Sequence, residues 1–178
     1  MNVILMGYRG SGKTSIGKKI AGQTWKDFVD TDAEVVKRFD GRSIADIWET
    51  DGEPAFRVAE AEVTQKLLAG ENQVIALGGG AVMDPGTAQA IKDAADAKRI
   101  YLSAKPAVLA ERIAADRNST AARPSLTGGA AVASGSVEEI TAVLEQREPV
   151  YQDLADAVFD VNYVDVEQAV AYLSRQHL

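Results

Sequence analysis

The run Gly7-Tyr8-Arg9-Gly10-Ser11-Gly12-Lys13-Thr14 brings together the residue types needed to hold a polyphosphate. Its spacing is G-x-x-x-x-G-K-T, the pattern of a phosphate-binding loop. The glycines let the backbone curl so that several N–H groups face one anion. Lys13 is then placed to reach the β- and γ-phosphates, and the Thr14 hydroxyl to bind Mg²⁺. Gly10, Ser11, Gly12, Lys13, Thr14 and Ser15 are the expected nucleotide contacts. The flanks agree with this chemistry. Val3-Ile4-Leu5-Met6 before the loop is an apolar run of strand length, and a helical pattern follows from Ser15 to about Gln23. That helix would add its positive N-terminal end.

Other stretches carry chemistry of lower specificity. Asp30-Thr31-Asp32 ends a short apolar segment. At a strand end, residues i and i+2 project to one side, so both carboxylates could face a ligand and its metal. The same spacing also fits a solvated turn with a helix-capping aspartate. Gly78-Gly79-Gly80 allows either a tight turn or a close approach of bare backbone to a ligand. Arg57, Arg123 and Arg147 lie in separate helical or loop contexts. Arg123 stands immediately before Pro124 in a stretch from Asp116 to Gly135 rich in small residues, which reads as a long, lid-like loop. An arginine carried by such a loop can neutralise charge on a transferred phosphoryl group. Trp48 and Phe56 flank Asp51-Gly52 and serve either the core or an apolar wall for a small ring.

The elements that must position these residues alternate in type. Strand patterns at Phe28-Val29, Val74–Leu77, Arg99–Leu102 and Val158–Val161 are separated by helical ones. The helices are expected at Ala33–Arg38, after Ser43, from Pro54 to near Gly70, at Pro85–Ala95, Pro106–Ala115, from Ser136 through Arg147, and at Val166–Gln176. Ser43 with Asp46, and Ser136 with Glu139, carry the spacing of a capping box. Such alternation implies a three-layer α/β fold with a parallel sheet, with chemistry at the carboxyl ends of the strands.

The chain has 178 residues, 46% of them hydrophobic and 25% charged, which fits one globular domain over 1–178. A net charge of −7 argues against a nucleic-acid binder. There is no cysteine, so thiol chemistry and disulfides are excluded, and the single histidine, His177, lies in the tail. No charged leader or long apolar run precedes the first strand, which points to a cytoplasmic protein without membrane segments.

In combination the motifs resemble shikimate kinase: Gly7–Lys18, Asp30-Thr31-Asp32, Gly41–Ile47, Leu77–Val82, Arg123-Pro124 and Arg147–Tyr151, in order over almost the whole chain. The resemblance implies transfer of the ATP γ-phosphate to the 3-hydroxyl of shikimate, in chorismate and aromatic amino-acid biosynthesis. It implies a five-stranded parallel sheet in order 2-3-1-4-5 of the P-loop kinase type, acting as a monomer. A substrate-binding region at about 31–61 and a lid at about 116–135 go with it. By the same resemblance Asp32 holds the ring hydroxyls and orients or deprotonates the attacking one, while Asp30 reaches Mg²⁺ through water. Arg57 and Arg147 grip the substrate carboxylate. The Gly78-Gly79-Gly80 backbone faces the substrate, and Trp48 and Phe56 wall the ring. Arg123 meets the phosphates, and Arg112, or alternatively Arg117, packs on adenine. The family's adenine-side proline has no match after Val161.

Two other functions compete. A small-metabolite kinase acting on gluconate would share the loop and the size. A nucleotide-dependent switch would bring D-x-x-G and N-K-x-D motifs, and the chain has neither.

Overall fold

A computed structural model describes residues 1–116 and 134–178. The lid stretch therefore falls mostly outside the described residues, together with Arg117 and Arg123.

Five parallel strands run in the order β2-β3-β1-β4-β5, as the resemblance implies. They are β1 (Asn2–Met6), β2 (Asp27–Asp30), β3 (Gln73–Ala76), β4 (Ala97–Ser103) and β5 (Ala157–Asp160). The helices are α1 (Lys13–Thr24), α2 (Thr31–Arg38), α3 (Ile44–Thr50), α4 (Glu53–Leu68), α5 (Pro85–Asp93), α6 (Pro106–Ala115), α7 (Val137–Leu154) and α8 (Val166–Gln176). A single 3₁₀ turn at Ala81–Met83 follows the glycine triplet.

β1 is central and wholly buried, which is why it reads as an unbroken apolar run. Its side chains alternate between two cores. Val3 and Leu5 pack with Ile16, Ile20, Val170 and Leu173 of α1 and α8. Ile4 and Met6 pack with Leu109, Ile113, Leu144 and Tyr151 of α6 and α7. β1 pairs with β3 through Val3↔Val74 and Leu5↔Ala76, and with β4 through Val3↔Lys98 and Met6↔Tyr101. The chain winds to one side of β1 for β2 and β3, then crosses to the other side for β4 and β5. The phosphate-binding loop leaves β1 at this reversal, where open α/β sheets form their ligand crevice. A third cluster of Val35, Ile47, Phe56, Ala59 and Val63 ties α2 to α3 and α4 beside that crevice.

Most element ends fall within a residue or two of the sequence reading. α7 does not: it continues past Arg147 to Leu154 with Pro149 inside it. Proline removes one helical hydrogen bond. Burial of Tyr151 and Leu154 on the stripe already formed by Ile140 and Leu144 outweighs that loss. Among the described residues no helix is long and apolar enough to cross a membrane.

Candidate active site

The loop between β1 and α1 opens α1 without a side-chain cap. Gly12 takes the N-cap position at φ +92°, a left-handed conformation suited to glycine. The first N–H groups of α1 are thus left to an outside acceptor. A cleft of about 610 Å³ lies over them, within the size range of ligand sites. Gly10, Ser11, Lys13, Thr14 and Ser15 line one end of it. Val161, Val164 and Val166 line another. Arg112, which also lines the cleft, donates to the Val161 carbonyl at 2.6 Å and so ties α6 to the end of β5.

Lys13 Nζ donates to the carbonyls of Gly7 and Tyr8, at 2.9 Å each. The Thr14 hydroxyl donates to Asp30 Oδ2 at 2.9 Å. The other Asp30 oxygen caps α2, accepting from the backbone N–H of Asp32 at 3.1 Å and of Ala33 at 3.4 Å. Asp30 is therefore a helix cap that also faces the phosphate loop. The threonine hydroxyl and aspartate oxygen form the hard-oxygen set that Mg²⁺ takes alongside phosphate oxygens and water.

A smaller cavity adjoins the cleft, with about 50 Å³ of free space, well under the roughly 300 Å³ of an open ligand pocket. Asp32, Trp48, Phe56, Arg57, Gly79, Gly80 and Arg147 line it, which brings together seven residues named from the sequence. Trp48 and Phe56 meet edge to face with centroids 6.2 Å apart, and the Arg57 guanidinium lies over both rings at 5.4 and 5.5 Å. Arg147 lies 6.0 Å from the centre of the Tyr8 ring. The cavity is thus an aromatic wall faced by the guanidinium groups of Arg9, Arg57 and Arg147 and the carboxylates of Asp32 and Glu60, a set suited to a small ring bearing an acid group and hydroxyls.

Gly78, expected among the ligand contacts, does not line the cavity. Its N–H donates to the Thr31 hydroxyl at 2.7 Å. A Cβ at this position would collide with Glu60 Oε1 and Asp32 Oδ1. Its small size lets two carboxylates crowd the strand end.

Four residues that line the cavity escaped the sequence reading: Tyr8, Arg9, Ile44 and Glu60. Glu60 is 3% exposed and accepts from Arg57 Nη1 at 2.8 Å. Burial raises its pKa, and Asp32 adds to the rise against the pull of Arg57. Burial works against the charge of Arg57, yet Glu60 and Glu53 outweigh it and hold its pKa up. The Tyr151 hydroxyl donates to the Gly79 carbonyl, and burial pushes its pKa up to about 12. A sequence signal did exist for Glu60. It falls at i+4 in the series Phe56, Glu60, Val63, Leu67, on the face of α4 that turns inward. Arg147 similarly interrupts the stripe Ile140, Leu144, Tyr151.

The family model "Shikimate kinase" matches residues 9–177. A shikimate kinase of Pelotomaculum thermopropionicum is 37% identical over 169 residues, covering 95% of this chain and 91% of that protein. The solved structure of a shikimate kinase from Acinetobacter baumannii in complex with shikimate superposes with a TM-score of 0.83 at 25% identity, over 99% of this chain and 95% of that one. A gluconokinase from Sinorhizobium meliloti shares the fold, with a TM-score of 0.59 at 20% identity over 98% of this chain and 91% of that one.

Proposed function

The chain belongs to the shikimate kinase family, and from that premise we propose how its residues transfer the γ-phosphoryl group of ATP to the 3-hydroxyl of shikimate. The observation that carries the assignment of roles is the junction of the two cavities at Asp32, which lines both. The nucleotide occupies the larger cleft, with its phosphates on the N–H groups of Gly10 to Ser15 and Arg112 at the adenine end. Lys13 leaves the carbonyls of Gly7 and Tyr8 for the β- and γ-phosphates. Mg²⁺, held by Thr14 and reached by Asp30 through water, neutralises phosphate charge when bound.

Shikimate occupies the smaller cavity. Its carboxylate meets Arg57 and Arg147, its ring packs on Trp48 and Phe56, and its hydroxyls meet Asp32 and the backbone of Gly79 and Gly80. Because Arg57 already contacts Glu53 and Glu60, substrate entry exchanges one carboxylate for another. Asp32 then orients the attacking hydroxyl and accepts its proton. Arg123, outside the described residues, is assigned to the transferred phosphoryl group. The use of ATP supports a cytoplasmic setting, and action as a monomer completes the reading.

The experiment is ADP release with ATP and Mg²⁺ across shikimate, quinate and gluconate. Shikimate is expected to be the best acceptor by a wide margin. Faster release with gluconate would overturn the assignment, since the gluconokinase likeness carries the fold alone.

A further inference from the structure

Among the described residues, three line both cavities: Arg9, Asp32 and Gly79. Asp32 serves the acceptor hydroxyl and Gly79 supplies backbone, which leaves Arg9 as a cation at the crossing without a task. Its position is built. The side chain is only 6% exposed, and Nη2 lies 3.6 Å from Oε2 of Glu139, whose own side chain is fully buried. Nη2 also donates to the Ser134 hydroxyl at 3.1 Å. The same Glu139 oxygen accepts from the Gly135 N–H at 2.6 Å. Arg9 Nε is buried without a hydrogen-bond partner.

A buried guanidinium is costly unless its donors are used. Here Nη2 is engaged and Nε is left over, on a side chain that lines both cavities. Glu139 is equally informative. The spacing from Ser136 suggests a capping box, and Ser136 does accept from the Glu139 N–H at 3.2 Å. The carboxylate, however, is directed to Gly135 and Arg9 and not back to the Ser136 N–H. A local capping contact is forgone for one that fixes an arginine of the phosphate loop.

Resting on the kinase reading above, we propose that Arg9 contacts the phosphoryl group as it passes to the acceptor, and that Glu139 is the positioning residue that aims it. In the transfer, a bond forms between the acceptor oxygen and the γ-phosphorus. The bond to the β–γ bridging oxygen breaks, ADP leaves with that electron pair, and the hydroxyl proton passes to Asp32. Arg9 meets the equatorial oxygens on the acceptor side, opposite the charge supplied by Lys13, and stays with the phosphate when it belongs to the product. Its contact is therefore absent with shikimate alone and present in the transition state and with phosphorylated shikimate.

The test compares Arg9→Met, Arg9→Lys and Glu139→Gln with the unaltered protein. Readouts are steady-state kinetics, calorimetric affinities for shikimate and shikimate 3-phosphate, and circular dichroism to establish folding. Arg9→Met is expected to lower kcat by about ten- to a hundred-fold, with the KM for shikimate within about threefold. It should weaken shikimate 3-phosphate by at least about tenfold while leaving shikimate affinity nearly unchanged. Arg9→Lys should recover part of both losses, because a point charge replaces a fork. Glu139→Gln should show the same pattern with smaller amplitude. Should Arg9→Met fail to fold, Arg9→Lys and Glu139→Gln carry the same comparison. Folded variants with unchanged kcat and product affinity, or with equal losses for shikimate and its phosphate, would overturn the inference. If the unaltered protein does not phosphorylate shikimate, it is the functional reading that fails instead.

Discussion

At the scale of single residues, the site separates holding from reacting. Arg57 and Arg147 are assigned to the carboxylate, remote from the transferred group, so their contact differs little between ground and transition state. Arg57→Ala should raise the KM for shikimate roughly ten- to a hundred-fold, from charge-assisted bonds worth about 1.5–3 kcal/mol, with a smaller fall in kcat. Asp32→Asn keeps the size but removes the acceptor for the hydroxyl proton, so kcat should fall most. Steady-state kinetics on both variants decides the matter, and the reverse pattern would exchange the two roles. The phosphate loop was legible because its spacing encodes the chemistry, whereas the spacing of Asp30 and Asp32 left a solvated, helix-capping turn equally open. Arg57, Trp48 and Phe56 had no such spacing: the residues alone left an arginine without an assigned task and two aromatics between core and ligand wall, and the family resemblance supplied the specific roles. Glu60 and Arg9 escaped both routes, for a physical reason. For Glu60 the signal lay in its place on the inward stripe of α4 and not in its identity, while the burial of Arg9 depends on Glu139, which α7 brings up from far along the chain.

At the scale of elements, local signals worked where local physics decides. The box between Ser43 and Asp46 is complete, with Asp46 N–H on Ser43 Oγ at 3.1 Å and Ser43 N–H on Asp46 Oδ2 at 3.3 Å. Asp84 caps α5 through the Thr87 N–H at 2.7 Å. The failures lie where tertiary contacts override local rules. Pro149 lies just past the expected helix end at Arg147, yet the apolar stripe of α7 carries the helix through it. Glu139 reads as half of a box, yet it serves Arg9. The turn after β3 is the element whose geometry is least forgiving. Gly78→Ala forces a methyl group against Glu60 and Asp32 and should cost about 1–3 kcal/mol, as overpacking does. Urea denaturation would register this, together with reduced turnover from the displaced Asp32. An unchanged midpoint and rate would mean that the two carboxylates yield freely.

At the scale of the molecule, the fold stores an electrostatic cost in its smaller cavity. Because Glu60 titrates above its ordinary value near 4.5, the native state binds this proton more tightly than the unfolded chain. Its contribution to stability is therefore greatest in acid. It declines as pH rises from that ordinary value through the raised native one, and stays at its lower level beyond. Glu60→Gln cannot ionise, so its stability relative to the unaltered protein should improve with rising pH across that window. Urea denaturation of both proteins at several pH values measures the difference, and a constant difference would show that Glu60 ionises in the fold as freely as out of it.

The strand order carries a consequence of another kind, for the chain while it is being made. β1 emerges from the ribosome before either of its neighbours. It must wait for residues 73–76 on one edge and 97–103 on the other. Throughout that interval Val3-Ile4-Leu5-Met6 is an apolar segment with two open edges, the feature that invites pairing with other chains. α1, which follows at once and packs on the Val3 and Leu5 face, can cover one face but neither edge. The centre of the finished sheet is thus an exposed hazard of the nascent one.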